Sequence, residues 1–413
     1  MVSGDTRAEI GAGSPDPLGR TQLARTLTLT HAVLYGLGVT IGAGIYVLVG
    51  PAVGRAGWAA PFSFAAAAVL MAFTAAAFAE LGGRLPVAAG EAAYVRAGFR
   101  SDWLATTAGL MVVAIAIVSA AAISVGSAGY IGALVPLSHS VIIAGVVLAM
   151  GMVAAWGIKE SVTFAGVMTV IEVVGLVLLV VAGLVFGASQ SGSPVVTTTA
   201  PMSATLLAVF AFIGFEGIAN VAEEMENPRR DLPRAIFITL VVTTVLYIAV
   251  VIVAQMAVSR EELANSRAPL ALVFERVTGL DPRIMTAIAI VATVNGIIVQ
   301  IIMAARVLYG LAMQGNIARV LGDVHPVTRT PMNATALTTV IVMVLALTLP
   351  HDRLADWTSR LTLLLFALVN AALIMIKRRD PSPPAGVLTV PAWVPWAGVV
   401  TALAVLIGEL LVW

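Results

Sequence analysis

The side chains able to do chemistry in this chain sit inside long apolar runs. Glu216 stands between glycines in Val209-Phe210-Ala211-Phe212-Ile213-Gly214-Phe215-Glu216-Gly217, and Glu172 stands in Thr169-Val170-Ile171-Glu172-Val173-Val174-Gly175. A carboxylic acid at mid-membrane costs about 2.5–3.5 kcal/mol on insertion scales, so it faces a bundle interior or water, where it can hold a cation or exchange a proton. A third stretch, Thr40-Ile41-Gly42-Ala43-Gly44-Ile45, has no ionisable group but crowds glycine, with Gly36 and Gly38 just before it. Each glycine inside a helix costs roughly 1 kcal/mol against alanine. Such glycines either let neighbouring helices pack closely or mark a break. A break frees backbone N–H and C=O groups, which persist in lipid only around protein or a wet cavity. Gly214 and Gly217 supply a second break candidate, and two breaks favour a cavity near the midplane. The exposed N-terminal end of a half-helix suits a carboxylate, and the C-terminal end suits an amine or metal cation. A zwitterion fits both.

The elements that must position these groups are membrane helices. The chain has 413 residues, of which 60% are hydrophobic and only 11% charged, the composition of an all-α polytopic membrane protein. Residues 1–26 read as a polar, disordered cytoplasmic tail without an apolar signal region, so the first span is expected to direct insertion. Spans are predicted near residues 27–54, 58–83, 103–134, 139–157, 160–187, 204–226, 232–258, 284–313, 333–349, 356–376 and 391–413, about eleven in all. Residues 84–102 and 188–203 read as loops, and Leu270 to Val277 as a short interfacial helix. Asp231 and Pro233 read as the opening of span seven. Glu80 and Arg84 read as an i,i+4 pair at a helix end.

The two break candidates fall in spans one and six. That spacing is expected of two inverted five-helix repeats, 27–187 and 204–378, with 391–413 as an additional helix. Sixteen Lys and Arg residues fall on the N-terminal side of the predicted spans and seven on the other, so the N-terminus is predicted to be cytoplasmic. The net charge of +1 gives no field for nucleic acid. Cysteine is absent, which excludes disulfides, thiolate metal sites and cysteine nucleophiles, and the four histidines lack metal-ligand spacing. No nucleophile–base pair or phosphate-cradling loop is visible, so an enzyme, a metal centre and a cofactor are not expected.

The stretches IGAGI (41–45), LPVAAGEAAYVRAGF (85–99), KES (159–161), FAFIGFEG (210–217), AEEMENPRRDLPRAI (222–236) and AARVLYGLAMQG (304–315) occur in a specific order. In this the chain resembles the amino acid–polyamine–organocation permeases, which share the LeuT-type fold. The resemblance implies an amino acid held mid-membrane among Ile41, Gly42, Ala43, Gly44 and Ile45 of span one and Phe210, Ala211, Phe212, Ile213, Gly214, Phe215 and Glu216 of span six. Its carboxylate would meet the N–H groups of Gly42, Ala43 and Gly44. Its ammonium would meet carbonyls near Ile41 and of Phe210, Ala211 and Ile213, with Phe210 closing over it. Glu172 falls where many sodium-independent relatives carry lysine, so that lysine's role does not carry over. Glu172 is expected either to handle a coupling proton or cation or to tie spans five, one and eight together. Thr293 and Asn295 of span eight are expected at an ion or substrate site or in interhelical hydrogen bonds, and Ser119 and Ser124 of span three are further candidates. The cluster Glu223, Glu224, Glu226, Arg229, Arg230, Asp231 and Arg234 is expected to carry gate salt bridges or a solvated loop.

Two features depart from the family pattern. Met313-Gln314 stands where relatives have Arg-Asp, and the eleven predicted spans compare with the usual twelve. The expected function is a permease of the cytoplasmic membrane carrying an amino acid, neutral by the apolar pocket, by proton symport or exchange. A cationic amino acid or polyamine exchanger and a non-transporting sensor are the alternatives. Sequence leaves the oligomeric state open.

Overall fold

The computed structural model describes residues 27–42, 44–86, 90–156, 162–187, 201–382 and 384–412. The tail 1–26, Ala43, the Lys159-Glu160-Ser161 stretch and most of the 188–203 loop lie outside them. Span one is split into α1 (Leu29–Ile41) and α2 (Gly44–Ala56). There follow α3 (Ala60–Arg84), α4 (Gly90–Phe99), α5 (Asp102–Gly132), α6 (His139–Trp156) and α7 (Val162–Phe186). Span six is split into α8 (Pro201–Phe212) and the single turn α9 (Gly217–Asn220). Beyond it come α10 (Pro228–Ala257), α11 (Arg260–Asn265), α12 (Pro269–Thr278), α13 (Arg283–Met313), α14 (Met332–Thr348), α15 (His351–Arg379) and α16 (Trp393–Val412). Among the described residues eight segments are long and apolar enough to cross a membrane, and the shorter apolar helices α1, α14 and α16 occupy the remaining predicted spans.

Several boundaries differ from the sequence reading, each for a local reason. The stretch 84–102 is not all loop, because Gly90–Phe99 forms α4, which buries Glu91, Tyr94 and Val95 on one face. Span seven opens at Pro228, whose ring is pre-set for the first helical position, so Asn227 precedes the helix and Asp231 lies in its first turn. Span ten begins at His351, before the apolar run, because Leu349 and Pro350 alone separate it from α14. The helix over Leu270 to Val277 does form, but its apolar face, with Leu270, Val273, Phe274 and Val277, is buried in protein.

Helices α1, α2, α3, α8 and α10 pack on one another, as do α5, α6, α13 and α14, while α7 and α15 touch both groups. Both broken spans belong to the first group, and span one also reaches the second, α1 through α13 and α2 through α5 and α13. Glu80 is more than one half of an i,i+4 pair. Its fully buried carboxylate accepts from Arg84 Nε at 2.9 Å, from Lys377 Nζ at 2.7 Å and from the Val390 N–H at 2.8 Å. One acid thus ties α3 to α15 and to the segment before α16, and its charge is tolerated because each oxygen has a cationic partner.

Candidate functional site

The two breaks touch each other. A Cβ on Gly44 would stand 2.8 Å from Ala211 Cα, and one on Gly214 would stand 2.7 Å from Val39 C, so each glycine lets one broken backbone lie against the other. Gly214 also has φ +131°, which side-chain-bearing residues rarely adopt. Tyr247 of α10 joins the breaks from behind. Its fully buried hydroxyl lies 2.8 Å from the Thr40 carbonyl and 2.9 Å from the Ala211 carbonyl. One hydroxyl proton serves two acceptors, so between them the breaks keep unused acceptor capacity for a further donor.

A narrow hollow lies between the breaks. Span one contributes Gly38, Val39, Thr40 and Gly44, and span six contributes Phe210 and Ile213. The opposite wall is Ser119 and Ile123 of α5 with Asn295, Gly296, Val299 and Gln300 of α13. For a water-sized sphere its volume is about 20 Å³, room for about one water. Thr40 Oγ1 and Gln300 Oε1, on two of these walls, are buried without a hydrogen-bond partner. Unsatisfied buried oxygens around one hollow mark a place where a ligand, ion or water completes the bonding.

Glu172 of α7 is fully buried beside it. Asn295 donates to Glu172 Oε1 at 3.2 Å, whereas Glu172 Oε2 is buried and unpartnered. The Tyr46 hydroxyl donates to the Glu172 backbone carbonyl at 2.7 Å, so the acid is linked to α2 as well as α13.

Beyond each end of the split span one a contact joins it to another element. At one end Arg55 of α2 grips Asp356 of α15 with two bonds of 2.8 and 3.1 Å. At the other end the Leu27 N–H donates to the Glu224 carbonyl at 2.9 Å and the Glu226 N–H to the Leu27 carbonyl at 3.0 Å. This parallel bridge joins the chain before α1 to the chain after α9.

Over residues 27–412 the sequence matches the family described as amino acid permease. The chain belongs to that family. Among its relatives is a branched-chain amino acid permease of Bacillus subtilis, 27% identical over 89% of this permease and 84% of the relative. Cationic amino acid transporter 2 of Arabidopsis thaliana, a vacuolar protein, is 30% identical over 87% of this permease and 61% of its own length. A methylthioribose transporter of Bacillus subtilis is 26% identical over 87% and 82%. The permease therefore spans most of the bacterial relatives but less than two thirds of the plant one.

The predicted residues divide sharply. Gly44, Phe210, Ile213 and Asn295 line the hollow. Ala43 lies outside the described residues. Ile41, Ile45, Ala211, Phe212 and Phe215 are buried but absent from its lining. Phe212 packs on Tyr247 and Phe64, and Phe215 on Phe78 and Phe366. The Gly42 N–H does not await a carboxylate, because it donates to Gly38 O at 3.1 Å and closes the last turn of α1. The Phe210 carbonyl already accepts the Ile213 N–H at 3.1 Å. Glu216 bends back to accept the freed Gly214 N–H at 2.8 Å, so it caps the break rather than lining the hollow. Thr293 turns to Ser127 Oγ at 3.0 Å and to its own helix, and Ser124 bonds to Ala120 O, so both take structural partners. His31 meets Thr28 at the start of α1. In the charged cluster after span six, Arg230 approaches Asp231 at 4.0 Å and Arg229 donates to the Ala385 carbonyl at 3.3 Å. Its arginines are exposed, and the backbone bridge at Leu27 joins the same segment to the chain before α1.

Sequence reasoning missed Tyr247 and Gln300, and read Gly38 and Thr40 only as part of the break and not as lining of the hollow. Asn295, Gly296, Val299 and Gln300 share one helix face by their i, i+1, i+4, i+5 spacing, so Gln300 was recoverable from Asn295.

Proposed function

We propose that this permease is a secondary transporter carrying a neutral amino acid across the cytoplasmic membrane, and that it alternates access by separating the two helix groups around the broken spans. One observation carries this reading: the Tyr247 hydroxyl lies within hydrogen-bond distance of a carbonyl from each break, at 2.8 and 2.9 Å. An arriving ammonium competes for those carbonyls, while the N-terminal end of α2 at Gly44 offers positive peptide dipoles to the carboxylate. The lining combines Val39, Ile123, Phe210, Ile213 and Val299 with the uncharged polar groups Thr40, Ser119, Asn295 and Gln300 and has no carboxylate among the described residues, which favours a neutral side chain over a cationic one.

In this reading residues 27–187 and 204–378 are the inverted repeats, 391–413 is an additional crossing, and the N-terminus is cytoplasmic. The Leu27 bridge is then the inner closure and the Arg55–Asp356 pair the outer one. Glu172, with one oxygen on Asn295 and one free, takes and releases the coupling proton.

Reconstitution into liposomes tests this. Uptake of radiolabelled leucine, lysine and putrescine is measured with a proton gradient, a sodium gradient and neither. Leucine accumulation driven by an inward proton gradient is expected, with Glu172→Gln abolishing the pH dependence while retaining exchange. Preference for lysine or putrescine replaces the neutral assignment. Binding without flux favours a sensor, and an unchanged pH profile in Glu172→Gln removes Glu172 from coupling.

A further inference from the structure

The one charged residue of α16 is Glu409, near the end of an otherwise apolar helix. Its carboxylate is buried and takes two bonds from Arg360 of α15, 2.9 Å from Nε and 2.7 Å from Nη2. The Arg360 guanidinium also lies 5.5 Å from the centre of the Trp357 ring. Arg360 stands one helical turn after Asp356, the acid that holds Arg55. Four groups of alternating sign thus run from α2 through α15 to α16: Arg55, Asp356, Arg360 and Glu409. An acid four residues before a base on a helix is the favourable order for an ion pair. Asp356 and Arg360 nevertheless do not pair within 4.0 Å among the described residues, because each is held from its other side.

The seat of α16 reinforces this arrangement. Next to Glu409, Gly408 has no room for a Cβ, which would run into Met202 of α8. The residue after Met202, Ser203, accepts from Arg55 Nη1 on its carbonyl at 3.3 Å. The end of α16 therefore rests on the same first turn of α8 that touches Arg55. The Glu409 side chain is 4% exposed, and a buried charge left without its partner is strongly destabilising. Arg360 is thus kept turned toward α16, with its donors away from Asp356.

We propose that Glu409 is a positioning residue for the outer closure: by holding Arg360 it leaves Asp356 to Arg55 alone, and so sets how readily the permease opens outward. The proposal rests on the transport reading, in which the Arg55–Asp356 pair is that closure. The signs of the charges fix the direction of each effect. With Glu409 neutral, the unmatched Arg360 turns to Asp356 and repels Arg55, so the closure weakens. With Arg360 neutral, any negative charge left on Glu409 adds to Asp356 in attracting Arg55. With both neutral, Arg55 and Asp356 face each other undisturbed. Simple loss of anchorage of α16 has no such sign, since either substitution would then act in one direction and the pair at least as strongly.

The chain has no cysteine, so Ser119→Cys, on the wall of the central hollow, reports opening through its rate of reaction with a membrane-impermeant maleimide. The reagent is applied to whole cells and, separately, to inside-out vesicles, with the melting temperature as the measure of folding. In the Ser119→Cys parent, Glu409→Gln is expected to speed labelling of whole cells about fivefold, the effect of one charge at a partly screened distance. Glu409→Asp and the double variant Arg360→Gln/Glu409→Gln should label close to the parent rate, and Arg360→Gln no faster than the parent. Equal rates in Glu409→Gln and the parent overturn the proposal, as does a double variant as fast as Glu409→Gln or an Arg360→Gln faster than the parent. The same order of rates seen only in inside-out vesicles would sink the orientation in the transport reading and leave the charge network standing. No labelling from either side in any variant would overturn both.

Discussion

Span one and span six are broken in different ways. In span one the helix resumes at Gly44 after ending at Ile41, with thirteen-residue helices on both sides. In span six the helix ends at Phe212 and only the four-residue turn α9 follows, before a 3-10 turn at Ala222–Glu224. The short break keeps a full helix N-terminus aimed at the hollow. The long break spreads its freed groups over a loop and satisfies one of them with its own carboxylate, Glu216 on Gly214 N–H. The comparison suggests a division of labour: span one supplies a fixed electrostatic end, and span six supplies an adaptable wall.

The strongest way to break that comparison is to push the two spans apart. Gly44→Val sets a side chain against the Ala211 backbone, 2.8 Å from its Cα, and is expected to abolish uptake in liposomes. Gly310→Ala, in open space, should transport like wild type. Next come two phenylalanines of the same span. Phe210→Ala removes a wall of the hollow and is expected to raise the KM at least tenfold. Phe215→Ala removes a ring packed on Phe78 and Phe366 and should instead lower the melting temperature, since such losses cost about 3–5 kcal/mol. Equal effects of the two on KM would erase the distinction between lining and packing.

The support beneath span six gives a pH-dependent test. Glu91 lies on α4, outside the spans, and burial pushes its carboxyl up to about 7. Gly90 beside it abuts Asn220 at the end of α9, where an added Cβ would lie 2.8 Å from Oδ1. A raised carboxyl favours the protonated folded state, so its contribution is present below about 4.5 and lost as pH rises through about 7. Glu91→Gln stays neutral. Its melting temperature should therefore exceed that of wild type increasingly from pH 5 to pH 8, a gap on the order of 3 kcal/mol. A constant gap would mean that Glu91 does not titrate there. The smallest effect is expected of Tyr247→Phe, which removes one hydroxyl shared by the Thr40 and Ala211 carbonyls. A change of about 1 kcal/mol, a few-fold in the apparent affinity for the transported amino acid, would place the tyrosine as a linker between the breaks.

Both breaks were legible because glycine excess inside an apolar run has few physical meanings, and because two such runs lay five spans apart. Phe210 and Asn295 were legible by position. The rest depended on distance along the chain. Nothing local marks Tyr247 in its apolar surroundings, and Thr40 lies 207 residues before it. The Glu80–Lys377 pair and the Leu27–Met225 bridge likewise join residues that only the folded packing brings together. Glu216 was read as an interior acid of a binding site, whereas its use as a cap on Gly214 follows from a φ of +131° that sequence does not encode. The α4 helix was missed because proline, glycine and arginine read as a loop until its buried face is seen.

The most direct test is a cryo-electron microscopy structure with the transported amino acid bound. The account predicts a hollow widened beyond its present 20 Å³, the carboxylate on the peptide N–H groups at the start of α2, and the ammonium on the Thr40 and Ala211 carbonyls, with Tyr247 withdrawn from at least one of them. A ligand held by side chains elsewhere, with both breaks and the hollow unchanged, would contradict it.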